Sequence, residues 1–142
     1  MKKYLQKKLN NEKGMTLIEL LAVIVIIAII AAIAIPAIGN LIDNSRHNAV
    51  KADFQNVLNA GNLYFAENNS AVGATFTNGT VGATNYVEDP GSITTYTVTK
   101  TATGSTISGS ASVSGTTKVL PATAKTVLDD MTPAQIEALP AS

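Results

Sequence analysis

Residues 20–38 read LLAVIVIIAIIAAIAIPAI, nineteen positions without a charge and with one proline. As a helix this run rises roughly 28 Å, close to the ~30 Å hydrocarbon thickness of a bilayer. A run of that length is a membrane helix or a secretory signal. Ahead of it, residues 1–14 hold five lysines (Lys2, Lys3, Lys7, Lys8 and Lys13) and one acid, Glu12. Residues 15–142 hold five basic and nine acidic side chains. The lysines keep the N-terminus cytoplasmic by the positive-inside rule and send the remainder across the membrane. Without its basic head the chain is mildly acidic, and no dedicated nucleic-acid site is evident. Cysteine is absent, which excludes disulfides, thiol catalysis and Cys-ligated zinc.

Two processing schemes compete. Ala32-Ile33-Ala34 matches the A-x-A pattern of a conventional signal peptidase site. Against it stand the long lysine-rich region, an acid (Glu19) at the start of the apolar run, and the abundance of alanine. The other scheme begins at Lys13-Gly14-Met15-Thr16-Leu17-Ile18-Glu19. A basic leader ends in Gly14, an apolar residue follows, a glutamate comes four positions later, and Pro36 lies seventeen positions beyond that. Residues 13–36 resemble the N-terminus of type IV pilins and their pseudopilin relatives. The resemblance implies that a prepilin peptidase cuts between Gly14 and Met15 and methylates the new amine, leaving the apolar segment in the mature chain. Many relatives carry glycine nine residues after the glutamate, where this chain has Ala28. Alanine is the better helix former by roughly 0.8–1 kcal/mol, so Pro36 and Gly39 are the weak points of the segment.

Glu19 is the most informative side chain. A carboxylate deep in lipid is costly, and an intramembrane acid is a functional hypothesis by default. It lies four residues from Met15, roughly 6 Å along a helix, within reach of the headgroups in a lone subunit. Among other Ile-rich helices it needs a cation. The resemblance implies that this is the Met15 amine of a neighbouring subunit; the plain alternative is an interfacial acid in a membrane anchor.

After Gly39 the pattern turns amphipathic. Val50, Phe54, Val57, Leu58, Gly61 and Phe65 follow helical spacing, with Asp53, Asn56, Asn59 and Asn62 between them. A helix from Thr16 to about Asn68 is roughly 80 Å long and stops at Glu67-Asn68-Asn69-Ser70. Residues 71–85 read as loop, with a turn at Asn78-Gly79. Residues 92–100 and 105–114 read as strands joined at Thr103-Gly104, the second placing Ile107, Gly109, Ala111 and Val113 on one face. Lys118-Val119-Leu120 reads as a third strand, ended by Pro121. Thr132-Pro133-Ala134-Gln135 opens a short helix through Ala138. The expected fold is α+β: a long N-terminal helix packed on a small antiparallel sheet. Its parts are a leader (1–14), an apolar helix (15–39), an amphipathic helix (40–69) and a β-rich domain with a C-terminal helix (70–142).

No catalytic constellation emerges. Asp43, Ser45 and His47 do not share one helix face, and a solvated stem face is expected there. Glu88-Asp89 and Asp129-Asp130 lack calcium-loop spacing, and no phosphate loop or cofactor motif exists. Hydroxyls in the Ser/Thr-rich region decorate a solvated sheet. The expectation is a non-enzymatic pilus subunit that polymerises with itself. The resemblance implies further partners: the peptidase, a membrane platform protein and, through it, a cytoplasmic assembly ATPase. It implies residence in the cytoplasmic membrane first and in a surface filament afterwards. A pseudopilin of a DNA-uptake or secretion machine, and a membrane-anchored binding module that never polymerises, are the alternatives.

Overall fold

The computed structural model describes residues 2–141, with side chains from Thr16 onward. The chain divides into two units, residues 1–41 and 42–142. Helix α1 (Lys2–Glu67) runs through both.

In the first unit α1 is continuous past Ala28, Pro36 and Gly39. Proline has no N–H, so the carbonyl one turn earlier, at Ala32, lacks its helical partner. In lipid or in a helix bundle the remaining bonds still close within the helix.

The second unit is α+β. The amphipathic half of α1 packs on a four-stranded antiparallel sheet of order β1-β2-β3-β4, comprising β1 (Thr75–Thr77), β2 (Ile93–Thr101), β3 (Gly104–Val113) and β4 (Thr116–Ala124). Short helices α2 (Lys125–Asp130) and α3 (Pro133–Glu137) follow. One core joins Val50, Phe54, Val57, Leu58 and Phe65 of α1 to Phe76, Val98, Ile107 and Leu120 of the strands, with Leu128 and Ile136 from the short helices. Gly61 leaves room for the sheet against the helix: a Cβ there would lie 2.8 Å from Val98 Cγ1. In this core and at its margin Tyr64, Phe65, Phe76, Tyr86 and Tyr96 meet in edge-to-face and tilted ring pairs, with Tyr64 and Phe76 centroids 5.1 Å apart. The sheet's outer face, by register, carries Thr95, Thr97 and Thr99 beside Ser110, Ser108 and Thr106.

The helix stop is built as its sequence suggests. Asn69 takes a left-handed φ of 46°. Ser70 N–H then donates to Phe65 O at 3.0 Å and Asn69 N–H to Ala66 O at 3.5 Å, a Schellman closure. Thr132 and Gln135 form the reciprocal capping box that starts α3.

Four features depart from the sequence reading. Residues 71–85 are not wholly loop, because Phe76, fully buried, opposite Val98, makes Thr75–Thr77 an edge strand. Strand β4 does not end at Pro121. Ile107 pairs with Thr123 and Gly109 with Leu120, so Pro121 and Ala122 together oppose one residue of β3. A bulge on an edge strand needs no ladder donor there, which is how proline is accommodated. Helix α2 lies where the sequence reading assigns no element, and it buries Leu128. His47 is buried rather than solvated, and its Nδ1 has no hydrogen-bond partner among the described residues.

Candidate functional site: the N-terminal apolar segment

Every large apolar side chain from Leu17 to Ile42 is exposed; Ile33 reaches 71% and even Ile42 retains 45%. Leucine, isoleucine and valine point in all directions from the helix axis, so no single face could hide them. This helix is long and apolar enough to cross a membrane. Burying such side chains is worth about 1.5–3 kcal/mol each. Lipid, or the same segment of other subunits, can supply that burial; the side chains of this unit cannot.

Glu19 is exposed within this surface. Gly14 and Met15, the junction singled out by the sequence, lie outside the residues whose side chains are described. Pro36 is exposed on the same helix, in its last turns before residue 41.

Several polar side chains of the second unit are engaged structurally. Asp53, one of the polar residues between the apolar positions of the stem, accepts from Ser92 N–H at 2.9 Å and from Ser92 Oγ at 2.5 Å. It thereby ties α1 to the start of β2. Lys51 donates to the carbonyls of Asp129 and Met131. Gln55 Nε2 donates to Asp129 Oδ1 at 2.7 Å, and Lys125 Nζ lies 2.6 Å from Asp129 Oδ2. The Lys125 ammonium and, next, the Gln55 amide hold the Asp129 carboxyl below its usual range. Lys118 Nζ reaches the carbonyls of Glu137 and Leu139, and Val119 N–H donates to Pro140 O, so the tail is bound along β4. Lys125 and Asp129 are four positions apart on one helix; the other clamps were invisible in the sequence because each joins residues 19 to 80 positions apart.

The structure does not bring Asp43, Ser45 and His47 together: the first two are exposed, the third is buried, and Arg46 lies 3.4 Å from Asp43. Asp89 accepts from Gly91 N–H at 2.8 Å in a tight turn. Among the described residues no group of three or more His, Asp or Glu side chains could hold a metal ion.

Residues 9–35 match the family model described as the prokaryotic N-terminal methylation motif. No curated protein and no solved structure matches the chain. The matched stretch contains the Gly14-Met15 junction and Glu19, and it is similar to the class III signal peptide of type IV pilins and pseudopilins. The motif implies processing by a prepilin peptidase and pilus-type assembly, and with the apolar helix it fits membrane anchoring before assembly.

Proposed function

We propose that this chain is the structural, major-type subunit of a type IV pilus and performs no catalysis. The observation that supports it is an exposed apolar helix surface that begins within a methylation motif, on a chain that also carries a small folded unit. In this reading the chain waits in the cytoplasmic membrane as a prepilin and is cut after Gly14. Residues 15–39 then leave lipid for a bundle of identical helices. That transfer is nearly neutral for the apolar side chains, since they exchange one apolar surrounding for another. Direction and register come from the one charged pair available, Glu19 with the Met15 amine of an adjacent subunit. The β-bearing units form the filament surface, outside the cell. The platform protein and, through it, the assembly ATPase drive the extraction.

Intact-mass spectrometry of the mature protein tests the processing: residues 1–14 are absent and Met15 carries one methyl group. A chain beginning at Ile35 establishes the conventional signal peptide instead. Immunogold electron microscopy tests the assembly, with long surface fibres labelled by antibody to residues 70–142. Processed, membrane-bound chain without surface fibres would favour a pseudopilin, and failure to co-purify with tagged copies of itself would favour a non-polymerising anchor.

A further inference from the structure

Twelve asparagines occur in the chain, and only Asn78 precedes a glycine. Both residues are exposed, in the turn that Thr80 N–H closes on Thr77 O at 3.0 Å. The Asn78 side chain has a structural task there. Its Oδ1 accepts from Tyr96 N–H at 3.1 Å and its Nδ2 donates to Thr94 O at 3.0 Å. Strand β1 ends at Thr77, paired with Thr97. The Asn78 amide therefore continues the pairing of β2 past the point where β1 stops, satisfying a donor and an acceptor that the edge would otherwise leave bare.

We propose that Asn78-Gly79 is a site of spontaneous deamidation, and that the reaction unclasps this edge irreversibly. The backbone nitrogen of Gly79 loses its proton and attacks Cγ of Asn78. The new N–Cγ bond closes a five-membered succinimide, and the Cγ–Nδ2 bond breaks as the amide departs with that proton as ammonia. Water then adds to either ring carbonyl and opens one C–N bond, leaving aspartate or isoaspartate, with no change of oxidation state. Glycine matters because its nitrogen carries no crowding Cβ beside it. Asn10, Asn11, Asn40, Asn44, Asn48, Asn56, Asn59 and Asn62 lie within α1, where the following N–H is held in the helix. Asn68, Asn69 and Asn85 precede bulkier residues.

The product cannot remake the clasp. A carboxylate is acceptor-only, so Tyr96 N–H keeps a partner while Thr94 O faces negative charge in place of an amide donor. Isoaspartate adds a methylene to the backbone and loses the register of both bonds. In the closed state these bonds, and the contact of Gly79 N–H with Thr77 Oγ1 at 3.2 Å, restrain the reacting atoms. The reaction therefore runs through local opening of the edge, and each event removes the means of closing again.

The test uses the full chain in detergent micelles, aged in warm, mildly alkaline buffer and mapped by mass spectrometry with fragmentation that separates aspartate from isoaspartate. Asn78 converts before every other asparagine, and aged chain melts at a lower temperature than fresh chain. Gly79→Ala slows the conversion severalfold while folding normally, since a Cβ at this position meets only Thr77 Oγ1, at 3.7 Å. Asn78→Asp reproduces the lowered melting without ageing. Conversion at Asn78 no faster than at Asn69, or undiminished in Gly79→Ala, overturns the modification. Equal melting of fresh, fully converted and Asn78→Asp chains overturns the unclasping.

Discussion

Residues 16–41 and 42–67 belong to one uninterrupted helix, yet they solve opposite problems. In the first stretch apolar residues occupy every direction and all the large ones stand exposed. In the second, Val50, Phe54, Val57, Leu58 and Phe65 fall on one face and are 2% exposed or less. Helical backbone is common to both. The difference lies in periodicity: a one-sided stripe is satisfied by a single sheet, whereas a cylinder of isoleucine requires neighbours all round. One stretch is complete within its own chain, and the other is complete only in lipid or among copies.

The sharpest way to break this comparison is Glu19→Val. The change makes the first stretch more apolar and leaves cutting after Gly14 intact. If Glu19 pairs with a neighbour's Met15 amine, the variant strands that amine, and losing one partner of a buried pair costs about 3–5 kcal/mol at every added subunit. As the only copy it yields few or no fibres by electron microscopy while remaining in the membrane; fibres of normal number and length sink the pairing.

Next comes the contrast in core dependence. Phe54→Ala lowers the stability of the second unit by about 3–5 kcal/mol, the usual cost of emptying a buried phenylalanine site. Ile26→Ala leaves the melting of that unit unchanged, because Ile26 is 56% exposed and belongs to the other unit. Thermal melts of both variants in micelles, followed by near-ultraviolet circular dichroism, check the pair. Equal losses would mean the two stretches are not separate.

Gly61→Leu sharpens the same boundary from the other side. Any side chain here meets Val98 and pushes helix from sheet, at about 1–3 kcal/mol for an overpacked site. Asn62→Leu, one position along and exposed, changes the melting temperature little.

The smallest effect is electrostatic. Folding lowers the Asp129 pKa through Lys125 and then Gln55, so the unfolded chain takes up the proton more readily. The stabilisation is complete above the ordinary carboxylate value of ~3.9 and is lost as pH falls through the folded value. Asp129→Asn accordingly flattens the acid limb of the stability profile and leaves the alkaline limb alone. The alkaline limb contains Tyr86, whose hydroxyl donates to Glu67 at 2.6 Å and whose pKa is raised chiefly by that bond. That contribution is present below the ordinary tyrosine value of ~10 and is lost as pH rises through the folded one. Urea melts across pH, read for Asp129→Asn and Glu67→Gln, separate the two limbs.

Several elements were legible because their signals are local. A helical stripe, a helix stop at Asn68-Asn69-Ser70, the Thr132–Gln135 box and the alternation of residues 105–113 each occupy a short window of chain. So does the methylation motif of residues 9–35. Strand β1, three residues long, leaves too short a pattern to read. Pro121 reads as a strand breaker until the bulge and the edge position are known, and neither is a property of residues 118–121 themselves. Nothing in the polar run of residues 43–48 marks His47 as the side chain that is buried.

The sequence by itself determined the nature of the N-terminal segment: charge, polarity and spacing along one helix specify what may surround it, whatever the remainder does. It also determined which helix face seeks a partner after Gly39. Only the tertiary structure decided what meets that face, which acids become clamps, and that Asn78 substitutes for a missing strand. Those outcomes depend on hydrogen bonds and contacts between residues far apart in the chain, and such pairings leave no period or motif in the residues that make them.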